Sequence, residues 1–269
     1  MRGRVLIIAG SDSGGGAGIQ ADIKAVTALN GFAMTAITAL TAQNTQGVQG
    51  VLPIPTAFIR QQIDVVMQDI GADVIKIGML GDSATIKTVC DALAAAAAGI
   101  PVVLDPVMVA KGGHHLLADD AVSVLRRRLL PLAAVITPNL PEAEALTGLT
   151  ITTEPEMRTA AQALLDLGAP SVLLKGGHLP SDNVVDLLAG PQGIHVFSSL
   201  RIHTRHTHGT GCTTASAVAA GLAQGMSLYD AVRRARAYVL KAIAAAPGFG
   251  HGHGPLDHAV TFDPACLTY

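Results

Sequence analysis

The chain has no tryptophan, only three tyrosines and five phenylalanines, and a net charge of −2 over 269 residues. Proteins that bind nucleic acid need aromatic stacking surface or a basic patch, so that partner class is excluded. The run Arg126-Arg127-Arg128 has nothing basic to reinforce it and reads as the solvated face of a helix. Cysteine is scarce: Cys90, Cys212 and Cys266 form no Cys-x-x-Cys and cannot all pair, which points to a reducing compartment. Mean hydropathy is high, +0.43, yet an unbroken apolar run of about 20 residues, as a spanning helix requires, is missing. The uncharged stretch between Lys24 and Arg60 is interrupted by Asn30, Gln43, Asn44, Gln46, Gln49, Pro53 and Pro55, and Gly211–Tyr229 by Thr213, Thr214, Ser216 and Gln224. At the N-terminus the apolar core runs only from Val5 to Ala9, shorter than a signal peptide needs. The expectation is a cytoplasmic protein without membrane contact.

Two nucleotide signatures are absent as well. Gly16-x-Gly18-x-x-Ala21 imitates a dinucleotide fingerprint, but no Asp or Glu occurs between Lys24 and Asp64 to hold a ribose. No Gly-x-x-x-x-Gly-Lys-Ser/Thr loop exists anywhere in the chain, which excludes a P-loop.

What is present is a regular alternation. Short apolar runs at Val5–Ala9, Ala33–Ala42, Val74–Ile77, Val102–Leu104, Ala134–Ile136 and Val172–Leu174 read as strands. Between them lie helical stretches at Gly18–Asn30, Thr56–Ile70, Asp82–Ala98, Ala118–Leu130 and Glu154–Leu167. Near-continuous apolar strands separated by helices predict a mostly parallel sheet covered on both faces, an α/β three-layer sandwich. Val184–Leu188 and Ile194–Ser199, joined by Gly190-Pro191-Gln192-Gly193, read as an antiparallel hairpin at one edge. Gly211–Gly225 and Leu228–Ala245 read as closing helices, and the stretch from Pro247 as loop. Neither a linker nor a repeat divides the chain, so residues 1–269 are expected to form a single domain.

In such sheets ligands gather where strands end. The segments after the six strands are Gly10-Ser11-Asp12-Ser13-Gly14-Gly15-Gly16-Ala17-Gly18, Gln43-Asn44-Thr45, Gly78-Met79-Leu80, Asp105-Pro106-Val107-Met108, Thr137-Pro138-Asn139-Leu140-Pro141-Glu142 and Lys175-Gly176-Gly177-His178. Any one of them is an ordinary turn or helix cap, but together they make a site. Thr207-His208-Gly209-Thr210-Gly211-Cys212-Thr213-Thr214 precedes an Ala-rich helix, and its glycines let successive N–H groups converge on an anion. The plainer reading is a helix start capped by Thr210 or Thr213.

Phosphoryl transfer needs charge screening, acceptor alignment and stabilisation of moving charge. Asp105 and Glu142 are hard oxygen donors suited to Mg²⁺, Lys175 and Asn139 can donate to phosphate oxygens, and the Gly209–Cys212 amides can hold the transferring group. His206-x-His208 and His251-Gly-His253 offer a zinc alternative but read better as loop histidines, as do His114-His115 after Lys111-Gly112-Gly113.

The motifs Ala9-Gly10-Ser11-Asp12-Ser13-Gly14-Gly15-Gly16-Ala17-Gly18-Ile19-Gln20-Ala21-Asp22, Ala42-Gln43-Asn44-Thr45, Lys76-Ile77-Gly78-Met79-Leu80, Asp105-Pro106-Val107-Met108, Thr137-Pro138-Asn139-Leu140-Pro141-Glu142-Ala143, Lys175-Gly176-Gly177-His178 and Thr207-His208-Gly209-Thr210-Gly211-Cys212-Thr213 occur together. From about Ile7 to about Pro255 the chain resembles the hydroxymethylpyrimidine/phosphomethylpyrimidine kinases of thiamin biosynthesis, within the ribokinase-like superfamily. The resemblance implies ATP, Mg²⁺, a pyrimidine bearing a hydroxymethyl and then a phosphomethyl group, two successive phosphorylations at one site, and a homodimer. It implies that Gly10, Ala17, Gln43, Met79 and Val107 line the pyrimidine pocket. Asn139, Lys175 and Gly211 would hold ATP phosphates, and Asp105 and Glu142 would stand near Mg²⁺. Lys175, Gly209, Thr210, Gly211 and Cys212 would carry the transfer.

Sugar kinases of that superfamily place an aspartate base where this chain has Cys212. A thiolate there could be the base, or the loop amides alone could suffice. A pyridoxal kinase of the same subgroup and a non-catalytic pyrimidine-binding protein are the competing readings; Gln43 favours the pyrimidine, and the intact phosphate cradle favours catalysis.

Overall fold

The computed structural model describes residues 3–108 and 116–263. Lys111-Gly112-Gly113, His114-His115 and Cys266 lie outside the described residues. Eight strands form one sheet: β1 (Arg4–Ala9), β2 (Phe32–Ile37), β5 (Val74–Ile77), β6 (Val102–Leu104), β7 (Val135–Ile136), β8 (Val172–Lys175), β9 (Asn183–Gly190) and β10 (Gly193–Leu200). Their spatial order is β10-β9-β8-β7-β6-β5-β1-β2. From β2 to β8 every pairing is parallel, while β9 and β10 join antiparallel at the far edge.

Period-two alternation decides which side chain goes to which face. Leu6, Ile8, Ile75, Ile77, Leu104, Ile136 and Leu174 pack on one face beneath α2 (Thr56–Asp69), α3 (Ser83–Ala96), α4 (Asp119–Val124), α5 (Leu140–Thr147) and α6 (Glu154–Asp166). Val5, Ile7, Ala9, Val74, Val103, Val135 and Leu173 pack on the other against α1 (Gly18–Ala28), α7 (Thr210–Ala223) and α8 (Leu228–Ala244). The three-layer α/β sandwich expected from the sequence, with its antiparallel edge hairpin, is therefore observed. Side-chain caps fix several helix starts: the Asp82 carboxylate accepts from Thr85 N, and α6 begins in a Thr153/Glu156 capping box. Among the described residues no helix is long and apolar enough to cross a membrane.

The structure corrects three sequence expectations. Ala33–Ala42 is not one strand: the chain leaves the sheet at Thr38, whose N–H donates to Ala9 O and whose hydroxyl donates to Met79 O. It continues as β3 (Ala39–Asn44), which pairs with β4 (Gly47–Pro53) in a separate two-stranded sheet. Ala118–Leu130 is not one α-helix: α4 passes into a π-helical turn at Leu125–Leu129 and a 3-10 turn at Leu130–Leu132, where Pro131 removes a helix donor. Finally, Leu140–Thr147, unassigned from the sequence, is a helix ended by Gly148 in the left-handed conformation.

Candidate active site

Because β1, β5, β6, β7 and β8 are parallel, the loops after them meet at one edge of the sheet. The first loop is organised by Asp12, which is 2% exposed. Its Oδ1 accepts from Gly14 N, and its Oδ2 accepts from Gly16 N and Ala17 N at 3.1 and 2.8 Å. The fourth partner is His208, whose Nε2 lies 2.8 Å from Asp12 Oδ2. Burial acts against the Asp12 anion, but the His208 hydrogen bond and charge and the loop amides outweigh it and hold the carboxyl below its ordinary value. An ionised carboxylate only accepts, so His208 Nε2 carries a proton. Gln43 Nε2, 3.5 Å from that nitrogen, therefore keeps its own protons for another partner. Its Oε1 accepts from Thr41 Oγ1 at 3.2 Å.

Gln43 does not follow a strand of the main sheet, as the sequence reading had it. It sits at a bulge of β3, tied to the first loop because Ser13 Oγ donates to Gln43 O and accepts from Gln43 N. Thr41 shares its single hydroxyl proton between Gln43 Oε1 and Ser11 O, the latter the closer at 2.9 Å.

The second glycine loop enters α7. Neither Thr210 nor Thr213 caps it: the Thr210 hydroxyl donates to Thr207 O, and Thr213 Oγ1 lies 2.9 Å from His258 Nε2. Gly209 is the N-cap residue, with φ of 85° and no side chain to satisfy the helix. A Cβ at Gly209 would fall on Gly16 O, so the two glycine loops are in direct backbone contact. Among the described residues no backbone carbonyl accepts from Gly211 N or Cys212 N. Orphan donors at a helix start are what an anion binds. Cys212 sits half-buried among them, and the Gly18 backbone N–H acts to favour its thiolate. Burial pushes its thiol up to about 12; nearby Lys76 acts against that, and Asp22 and Asp105 add to it.

Charges face these amides. Lys175, at the end of β8, places Nζ 3.1 Å from Asp105 Oδ1, which also accepts from Thr137 Oγ1 at 3.0 Å. Burial works against the Lys175 cation, but Asp105 and Glu142 outweigh it and raise its pKa. Burial also pushes Glu142 up to about 7, with Asp105 adding to the shift and Lys175 opposing it. Asn139 and Glu142 form the capping box of α5: Asn139 Oδ1 accepts from Glu142 N, and Glu142 Oε2 accepts from Asn139 N. The cap uses the Asn139 carbonyl oxygen and leaves its NH₂ donors for a ligand.

Two cavities meet here. One, about 530 Å³, is lined by Gly10, Ala17, Gln43, Met79, Val107, Asp105, Glu142, Asn139, Lys175, Gly209, Thr210, Gly211 and Cys212. Every site residue proposed from the sequence thus faces one space. The other, about 560 Å³, has apolar walls from Val184, Leu200, Val239, Leu240 and Ile243. Asn139, Lys175, Thr210 and Gly211 border both. Of the His206-x-His208 pair, His208 turns its Nε2 to Asp12.

Sequence reasoning missed the roles of Asp12 and His208, and it passed over a buried polar trio beneath the site. Lys76 Nζ bonds both oxygens of Asp22 at 2.9 and 2.8 Å, and Ser216 Oγ donates to Asp22 Oδ1 at 2.7 Å. The available signal was a lysine inside the apolar strand Val74-Ile75-Lys76-Ile77: alternation turns it toward α1 and α7, away from the face taken by Ile75 and Ile77.

Two cavities joined at a lip of one lysine, one amide side chain and a helix N-terminus, on the carboxyl edge of a parallel sheet, define the class: a small-molecule phosphotransferase. Residues 12–257 match the phosphomethylpyrimidine kinase family, and the chain belongs to it. It is 50% identical over 94% of its length to the hydroxymethylpyrimidine/phosphomethylpyrimidine kinase of Streptomyces coelicolor, covering 93% of that protein. It is 53% identical to the thiamine biosynthesis bifunctional protein ThiED of Geobacter sulfurreducens, 96% of the chain spanning about half (52%) of that longer relative. Among solved structures, an ADP complex of Bacillus subtilis pyridoxal kinase superposes with a TM-score of 0.90 at 38% identity, covering 98% of this chain and 100% of that one.

Proposed function

We propose that the chain uses ATP to phosphorylate 4-amino-5-hydroxymethyl-2-methylpyrimidine and then its monophosphate, within thiamin biosynthesis. The observation that carries this reading is the shared lip, where Asn139, Lys175, Thr210 and Gly211 border both cavities. In the smaller cavity Gln43 Nε2 donates to the aminopyrimidine edge, and Gly10, Ala17, Met79 and Val107 complete the pocket. In the larger one the apolar walls take the nucleotide base. Lys175 and the Asn139 NH₂ neutralise phosphate oxygens, while the Gly211 and Cys212 amides receive the transferring group. Cys212 stays a thiol, so the amides rather than a thiolate base support a loose transition state.

The donor set also fits Mg²⁺. Thr137 and Lys175 both bond Oδ1 of Asp105, leaving Oδ2, and Asn139 takes only Oε2 of Glu142. Each carboxylate thus keeps an oxygen for a hard cation or its waters. When bound, Mg²⁺ would screen the phosphate charge.

The eight-stranded sheet runs through the chain, supporting one kinase domain over residues 1–269, and the scarce, unpaired cysteines support a cytoplasmic location. A homodimer is supported by the β3–β4 hairpin, whose directly paired Leu40 and Leu52 are 42% and 62% exposed. Sedimentation of wild type and Leu52→Asp tests it: the variant is expected to shift toward monomer.

Pyridoxal is the second acceptor to consider, on the likeness to pyridoxal kinase. ATP consumption measured with hydroxymethylpyrimidine, its monophosphate and pyridoxal decides the matter. The expected order places both pyrimidines ahead of pyridoxal; turnover of pyridoxal alone overturns the reading, and binding without turnover means a non-catalytic protein.

A further inference from the structure

A lysine with no solvent exposure stands at the centre of the fold, and its ion pair with Asp22 is likewise 0% exposed. Removing two charges from water costs several kcal/mol per ion, and buried pairs are often replaced by apolar residues with no loss of stability. Stability alone therefore gives little reason for Lys76 to stand between Ile75 and Ile77. Its placement does. The Asp22 carboxylate holds the ammonium by both oxygens, so Lys76 stays protonated despite burial. An ammonium has three donors, and among the described residues Asp22 is the one side chain that bonds it. Lys76 also lines the smaller cavity beside Cys212 and Asp105. A Cβ at Gly78 would meet its Nζ at 2.9 Å, so a glycine leaves the ammonium room there. On the opposite side, Asp22 and Ser216 belong to α1 and α7, so the moored cation is tied to the two helices that the glycine loops enter.

We propose that Lys76 is a positioning residue for phosphoryl transfer: a permanently buried cation, moored by Asp22 and Ser216, that adds fixed positive potential beneath the Gly209–Cys212 amides. The proposal rests on the kinase reading of that site. The charge works through the loop, because a fixed dipole or ion in a site shielded from water stabilises developing negative charge without reorganising. Lys175 and Lys76 then flank the anion loop, one exposed to ligand and the other beneath it.

The test removes the pair as a pair. Lys76→Met/Asp22→Asn deletes both charges, keeps an amide for Ser216, and avoids an uncompensated buried carboxylate. We expect its melting temperature to remain close to wild type. Its kcat should fall on the order of 10²-fold, the scale of losing one preorganised electrostatic contact, while calorimetric affinity for hydroxymethylpyrimidine holds. Iodoacetamide labelling of Cys212 at fixed pH, read on its own peptide so that Cys90 and Cys266 do not interfere, supplies a second readout independent of turnover. Labelling should slow in the double variant and quicken in Asp22→Asn, where the cation remains and the anion is gone. A merely structural pair would move neither rate. Unchanged kcat in a folded double variant, or unchanged labelling in both variants, overturns the proposal. If wild type phosphorylates no pyrimidine, the kinase reading fails instead, and the labelling pair still decides whether Lys76 sets the potential at Cys212. Should the double variant not fold, Asp22→Asn labelling decides alone.

Discussion

The side chain of Cys212 stands in the first turn of α7, where the Gly18 N–H acts in favour of the anion, a setting that on its own favours a thiolate. Burial wins, and the group is a thiol at neutral pH. Cys212→Ala is accordingly expected to lose less than about tenfold in turnover, far short of the 10²–10⁴ that loss of a positioned general base costs. Measuring both steps makes this decisive. A phosphomonoester acceptor is already ionised, so a base role would harm the first phosphorylation much more than the second. Gln43 is the other residue to change. In the proposed pyrimidine pocket its amide N–H groups and the Thr41 hydroxyl are the polar groups that β3 contributes, so Gln43→Leu should weaken pyrimidine binding by about 1–3 kcal/mol, read by calorimetry; unchanged affinity would remove Gln43 from the pocket. Lys175→Ala should separate the two ligands: turnover falls, while pyrimidine affinity without nucleotide stays near wild type. Loss of pyrimidine binding instead would move Lys175 from the phosphate side to the acceptor side.

At the scale of elements, the contact between the two glycine loops is the joint on which the site depends. Gly209 has φ of 85° and no room for a Cβ beside Gly16 O, whereas Gly193 has φ of 96° with nothing within 4 Å. Both substitutions by alanine incur left-handed strain of order 1–3 kcal/mol, but Gly209→Ala must also force the loops apart. Its melting temperature and pyrimidine affinity should both fall below those of Gly193→Ala, and equal behaviour would mean that the loops are not coupled. The sequence reveals the glycines but not this contact, because nothing local links residue 16 to residue 209. The parallel strands were legible for the opposite reason: buried on both faces, Val74–Ile77 and Val102–Leu104 are short unbroken apolar runs. The β3–β4 hairpin was not, since Ala39–Asn44 continues from β2 across Thr38 without a glycine or proline. Asn139 was legible twice over. It caps α5 with its oxygen and offers its nitrogen to the site, so the cap reading and the ligand reading describe two ends of one amide.

Across the whole molecule, the loop-like stretch over residues 248–258 is anchored rather than free. His253 N donates to Thr45 O, His208 N donates to Gly254 O, and the Tyr238 hydroxyl donates to His258 O at 2.9 Å. His258 itself is 6% exposed, and its Nε2 lies 2.9 Å from Thr213 Oγ1. Burial, with the charge of Lys24, lowers its pKa to about 4 from the ordinary 6.5. The unfolded chain then takes up a proton between pH 6.5 and 4 that the folded protein refuses, so this group's contribution to stability is present above 6.5 and is lost as pH falls through that window. Glu142 acts oppositely. Its carboxyl, raised to about 7 from 4.5, protonates first in the folded state and adds stability as pH falls between those values. The two trends overlap in wild type, so a single melting curve cannot assign either. Comparison with His258→Gln can, because a glutamine amide can still pair with Thr213 Oγ1 but does not titrate. Wild type should be the more stable at pH 7.5, by about 1–3 kcal/mol. Its advantage should shrink steadily as pH falls to 4.5, while the slope from Glu142 remains in both proteins. Parallel stability curves would mean that His258 charges freely and that the final segment opens at acid pH without strain on α7 or α8.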